Sequence, residues 1–147
     1  MNPDDLLDHV TFGPELIGQG WHAAEWARAG KDRTRAFRWI GAEEASVTFA
    51  AGNAPRVVLT CSLAGVIHPA VLNEAGFAID GVPARGAFTT EDGAVALRIE
   101  GDRDPSAPVS CLTLTVPKRF KPADLLPGST DRRALSIAFK GIDVVRA

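Results

Sequence analysis

From residue 45 onward, apolar and polar positions alternate with a period of two. Val47 and Phe49 stand among Ser46 and Thr48, and Val57, Leu59, Cys61 and Leu63 alternate with Arg56, Val58, Thr60 and Ser62. Val95, Leu97 and Ile99 follow the same rule, and Leu112, Leu114 and Val116 repeat it. Successive strand side chains point to opposite faces, so each run reads as a strand with one buried face. Phe77 and Ile79 lead through Asp80-Gly81 to Val82. An Asp-Gly pair between apolar residues predicts a two-residue type I′ hairpin, because both positions need positive φ. The last strand carries Leu135, Ile137 and Phe139, then Ile142 and Val144, so its parity flips across Gly141. One extra residue there predicts a β-bulge.

The first third of the chain is less regular. Residues 3–9 suggest a short opening helical turn, with Asn2 as cap and Pro3 at its first position. Residues 11–44 have no clean period and read as loops with short extended pieces, such as Ala36 to Ile40. Residues 69–76 suggest one more short turn. Seven or eight short strands between Gly, Pro, Asp and Asn turns, with no long helix, predict an all-β fold. The expected architecture is an antiparallel β-sandwich, jelly-roll-like, with a short N-terminal helical turn. A closed barrel is the alternative. No linker divides the sequence, so residues 1–147 read as a single β-sandwich domain.

Composition narrows the function classes. Apolar residues make up 46% and charged residues 23%, values of a globular chain rather than a disordered or coiled-coil one. The net charge of −2 shows no basic stripe, which argues against a grip on nucleic acid. No run reaches the ~18 apolar residues of a membrane span, and no secretory leader is visible, so no membrane insertion and a cytoplasmic location are expected. The two cysteines lie without a CxxC, and strand parity turns Cys61 toward the apolar face and Cys111 away from it. Two reduced thiols are expected, not a disulfide or a zinc site.

Chemistry is sparse. The glycine-rich stretch from Gly13 to Gly20 lacks the Lys-Ser/Thr of a phosphate loop. His9, His22 and His68 fall in different segments, which does not make a metal site. No catalytic residue, metal or cofactor is assigned. Two segments stand out: Gly20 to Glu25 with Arg38-Trp39, and Pro122 to Leu125 with Ser129 to Leu135. The three tryptophans, Trp21, Trp26 and Trp39, gather here, outside the clear strands, in a chain with no tyrosine. Arginine stacks on indole and forks onto carboxylates. Trp21, Glu25, Arg38, Trp39, Asp131 and Arg132 therefore form the candidate ligand-binding cluster. A hydrogen-bonded plug closing one end of the sandwich is the structural reading, and a polyol site with Trp platforms is the functional one.

These segments also carry a resemblance. "GWHAAE", "FRWIG" and "FKPADLLPGSTDRRALSIAFKGIDV" resemble the β-sandwich accessory domains of bacterial glycosyltransferases and envelope-glycan assembly enzymes, of the phosphoglycerol-transferase-like C-terminal type. Gly20, Trp21 and Glu25 match the first element, Arg38 and Trp39 the second, Asp80-Gly81 the hairpin, and Pro122, Asp131, Arg132, Arg133 and Leu135 the last. Ser136 replaces a frequent Gly, and His22 replaces an aromatic. The resemblance implies a non-enzymatic carbohydrate-binding or glycan-assembly module in surface polysaccharide biosynthesis. Its implied partners are a glycan and a glycosyltransferase; a homo-dimer, with a second copy of the chain, belongs to the reading as an interaction module. A structural interaction module and a small β-sandwich enzyme are the competing readings.

Overall fold

The computed structural model describes residues 6–26 and 36–147. Eleven strands are present among them: β1 (Leu6–Thr11), β2 (Gly18–Gln19), β3 (Glu25–Trp26), β4 (Ala36–Trp39), β5 (Glu44–Ala50), β6 (Arg56–Val66), β7 (Gly76–Ile79), β8 (Val82–Glu91), β9 (Ala94–Asp102), β10 (Val109–Thr115) and β11 (Ile137–Arg146). Among the described residues, helical structure is limited to a 3-10 turn at Pro69–Leu72 and one α-turn, α1 (Pro122–Leu125). His68 caps the former, its Nδ1 accepting the Ala70 amide at 3.1 Å.

The strands form one antiparallel path, β2-β5-β10-β7-β8-β9-β6-β11-β4-β3, with β1 on the flank of β11. The path is open, because β2 and β3 end it without pairing to each other. It curls so that two halves face across one core. Val47, Phe49, Leu112 and Leu114 of one half join Leu59, Cys61, Leu97, Ile99, Phe139, Ile142 and Val144 of the other. Strand β8 is the corner. Its residues Val82 to Ala84 pair with β7, and Arg85 to Glu91 pair with β9. The whole is all-β and antiparallel, as the alternation predicts, curled rather than closed.

Local chemistry follows the sequence closely in three places. Asp80 and Gly81 have φ of 52° and 81°, and Asp92 and Gly93 have 50° and 78°, so two type I′ turns close the β7–β8 and β8–β9 hairpins. Phe139 pairs with Leu63 and Gly141 with Ser62, leaving Lys140 as the extra residue of a bulge. Exposed Lys140 then sits between core-facing Phe139 and Ile142. Both cysteines are free, Cys61 fully buried and Cys111 partly so. Burial without a counter-charge pushes the Cys61 thiol well above its ordinary range.

Two expectations are corrected. Residues 6–9, read as part of a helical turn, are strand: Leu6–Thr11 lies antiparallel to β11, with Val10 opposite Ile142. Backbone pairing to the last strand outweighs the local Asn-Pro signal; residues 3–5 lie outside the described residues. The tryptophans do not avoid strands either. Trp26 and Trp39 are on β3 and β4, and Trp21 forms an isolated bridge with Ile40.

Candidate functional site

The alternation of β4 divides the candidate cluster between two faces. Arg38 lies opposite Phe139 of β11, and Trp39 lies opposite Ala138. Phe139 belongs to the core, so Arg38 is on the inner face and Trp39 on the outer one. Arg38 spends its guanidinium on the backbone, Nη2 donating to the Gly13 carbonyl at 2.9 Å. Its Nε is buried without a partner among the described residues.

Trp21 is on the inner side as well. Its ring meets Phe12 at 5.0 Å and Phe139 at 5.4 Å, both edge-on, and Nε1 donates to the Ser46 carbonyl at 2.9 Å. Edge-to-face packing and a satisfied N–H are what a structural indole requires. Trp21 and Arg38 thus act as the plug at this end of the fold.

Trp39 is placed differently. It is partly exposed, and its ring extends over the outer face across β11 toward β6. Ala138 stands between Trp39 and Gly65 in register and is fully buried. A Cβ on Gly65 would come 3.3 Å from Trp39 Cη2. Two small residues therefore make the bed on which the indole lies.

Phe37, also partly exposed, shares this face two positions earlier, about 7 Å along the strand. Glu25 of β3 is directly opposite Phe37, and opposed residues of antiparallel strands point to one side. Glu25 meets the loop that enters β11. Arg133 Nη1 donates to Glu25 Oε2 at 3.1 Å, while Arg133 Nε and Nη2 fork onto Asp131 at 3.0 and 2.8 Å. Asp131 also accepts the Arg133 amide at 3.0 Å, an Asx-type turn. The Arg133 hydrogen bonds hold the Asp131 carboxyl down to about 2, and the two carboxylates raise the Arg133 guanidinium further. Glu25 Oε1 has no hydrogen bond among the described residues. His22 closes the group, its Nε2 donating to the Ala134 carbonyl at 3.1 Å and its ring lying against Gly41.

Of the expected cluster, the structure therefore places Trp39 and Glu25 on one sheet face and ties Glu25 to Asp131 through Arg133. Trp21 and Arg38 go to the core side, and Arg132 is exposed without joining the pair. Arg133, not Arg132, is the hub. The Asp-x-Arg spacing of an Asx turn was the available signal for it. Trp26 pairs with Ala36 on the edge strand and is 42% exposed. Among the described residues no three His, Cys, Asp or Glu side chains converge for a metal, and no helix is long and apolar enough to cross a membrane.

Fold and site together define a β-sandwich-type domain with a partly exposed indole, Trp39, on the outer sheet face that also carries Glu25. A family 35 carbohydrate-binding module from Clostridium thermocellum is similar in structure. Its TM-score is 0.54 at 12% identity, covering 95% of this chain and 99% of that chain. At that identity the likeness is one of fold. No protein-family model matches the sequence, and no curated protein does.

Proposed function

We propose that the protein is a non-catalytic carbohydrate-binding module whose site is the outer face at Trp39. The observation that carries the reading is the partly exposed indole over Ala138 and Gly65, on the same sheet face as Glu25, which Arg133 ties to Asp131. An apolar plate with a few fixed polar groups suits a sugar ring, which has an apolar face and a rim of hydroxyls. Glu25 Oε1 accepts from a hydroxyl, and Arg133, held from two sides, donates to one. Asp131 acts by fixing Arg133. The fold likeness to a protein named as a carbohydrate-binding module supports the class, since fold alone assigns no site.

The finer calls belong to this proposal. A jelly-roll-like sandwich accords with β8 carrying the chain between the two halves. Service beside a glycosyltransferase in polysaccharide assembly is proposed on the sequence resemblance alone; a cytoplasmic location and pairing with a second copy are proposed with it.

Titration calorimetry with neutral and acidic oligosaccharides, guided by a glycan array, tests the site. Trp39→Ala is expected to stay folded and to lose about tenfold or more in affinity. Trp21→Ala is expected to lose stability while any folded fraction binds normally. A chain that binds no glycan, or a Trp39→Ala variant that binds undiminished, overturns the proposal.

A further inference from the structure

A second site is built where the sheet turns its corner. Strand β8 leaves β7 after Ala84 and joins β9 at Arg85, opposite Glu100. Strand β9 runs on to Gly101 and Asp102, which pair with Val57 and Arg56 of β6. A wedge opens between the start of β8 and the end of β9, a groove of about 500 Å³. Its floor is small and apolar: Pro83, Ala84 and Gly101. Packing is close there: a Cβ on Gly101 would lie 3.0 Å from both Ala84 Cβ and Ile79 Cδ1, so these neighbours would have to give.

The rim is charged and unevenly satisfied. Arg56 Nη1 binds Asp102 Oδ1 at 2.7 Å and its Nε binds Glu100 Oε1 at 3.2 Å. Arg98 Nη1 takes the other oxygen, Glu100 Oε2, at 3.2 Å. Both carboxylates are thus already matched by cations, and the Glu100 carboxyl is held low by Arg56. Arg85 stands opposite Glu100 yet makes no hydrogen bond or ion pair among the described residues. Arg56 is thus spent on both carboxylates of the groove, and exposed Arg85 is the lining guanidinium left without an ion pair among the described residues. Asp102 keeps its second oxygen free of protein hydrogen bonds among the described residues.

We propose that this groove binds an acidic sugar, one bearing a carboxylate on a hydroxylated ring. Arg85 forks onto the ligand carboxylate, Asp102 accepts a ring hydroxyl, and the Pro83–Ala84 floor takes the apolar face of the ring. The ligand class rests on the carbohydrate reading, but the site does not depend on Trp39.

The test is an amide-shift NMR titration of the protein with glucuronate, glucose and acetate in parallel. Glucuronate is expected to move the amides of residues 84–86 and 100–102, with glucose and acetate far weaker. Arg85→Gln is expected to weaken glucuronate about tenfold, Arg85→Lys less, and Trp39→Ala not at all. Raising salt is expected to weaken glucuronate binding, because the groove is open to solvent. Shifts that persist in Arg85→Gln, acetate binding as tightly as glucuronate, or no groove shifts with any probe overturn the proposal. Glucuronate binding lost in Trp39→Ala but kept in Arg85→Gln overturns it too, while leaving the Trp39 site standing.

Discussion

At the scale of single residues, ion pairs divide into those that hold loops and those that wait for a partner. Arg133 is of the first kind. It ties β3 to the loop before β11 through Glu25 and Asp131. Asp131 titrates at about 2 in the fold against an ordinary 3.8, so the folded state prefers it charged. Its contribution is therefore fully present above about pH 4 and is lost as pH falls through 2. Thermal unfolding of the wild type and Arg133→Gln between pH 5 and 2 checks this. The variant is expected to start lower at pH 5 and to decline less steeply, the other carboxylates being common to both chains. Parallel curves would show that Arg133 does not set the Asp131 titration. Arg103 is another loop-holding residue, and it left no mark in the sequence pattern. It is 7% exposed and donates to the carbonyls of Ala54 at 2.6 Å, Gly52 at 3.3 Å and Ala107, and to Ser110 Oγ at 2.8 Å. A lone arginine after a strand reads as a surface charge, and only the approach of loops around residues 52–54 and 104–108 turns it inward. Confusing Arg132 with Arg133 has a similar cause, because which of two adjacent guanidiniums faces a carboxylate depends on turn geometry rather than residue type.

Strands and turns were far more legible than sites, and the reason is periodicity. The runs in β5, β6, β9 and β10 declare their buried face by alternation alone, and Asp80-Gly81 declares its turn by the φ it must adopt. The Asp92-Gly93 turn obeys the same rule. Strands of two residues, β2 and β3, are too short to show a period, and their existence depends on β5 and β4 lying alongside. The division of Arg38 and Trp39 follows from the extended piece at Ala36 to Ile40, since a strand sends adjacent residues to opposite faces. The two I′ turns allow a matched experiment. Gly81→Ala and Gly93→Ala are each expected to cost about 1–2 kcal/mol in urea unfolding, the penalty for a Cβ at positive φ. Asp80→Ala is expected to exceed Asp92→Ala by about 1 kcal/mol. The Asp80 carboxylate accepts Ser110 Oγ at 2.6 Å and the Cys111 amide at 2.8 Å, which fastens this hairpin to β10. Equal losses in the two aspartate variants would remove that fastening from the account.

For the whole molecule, the decisive pairing joins the two ends of the described chain. Strand β11 has β6 along one edge, and along the other it has β4 at residues 138–139 and β1 at residues 141–145. The bulge at Lys140 falls between those two neighbours. Strand β1 also delivers Val10 and Phe12 to the core, where Phe12 packs edge-on against Trp21 at 5.0 Å and tilted against Phe139 at 5.6 Å. Losing β1 would uncover five positions of β11 and leave an apolar edge able to pair with another chain. Removing residues 1–11 is therefore expected to give aggregation in place of a cooperative unfolding transition, read by size-exclusion chromatography and far-ultraviolet circular dichroism. Val10→Asp keeps the chain length and is expected to act the same way more weakly, through an unpaired charge against the core. A soluble deletion variant with an unchanged transition would mean that the curl is held by the β6–β11 pairing without its N-terminal strand. Such a variant would also separate the two proposed sites. The Trp39 face lies on the β3–β4–β11 side that β1 adjoins, and the Arg85 groove lies across β6 and β9 from it. Destabilising β1 is thus expected to impair binding at Trp39 before binding at Arg85.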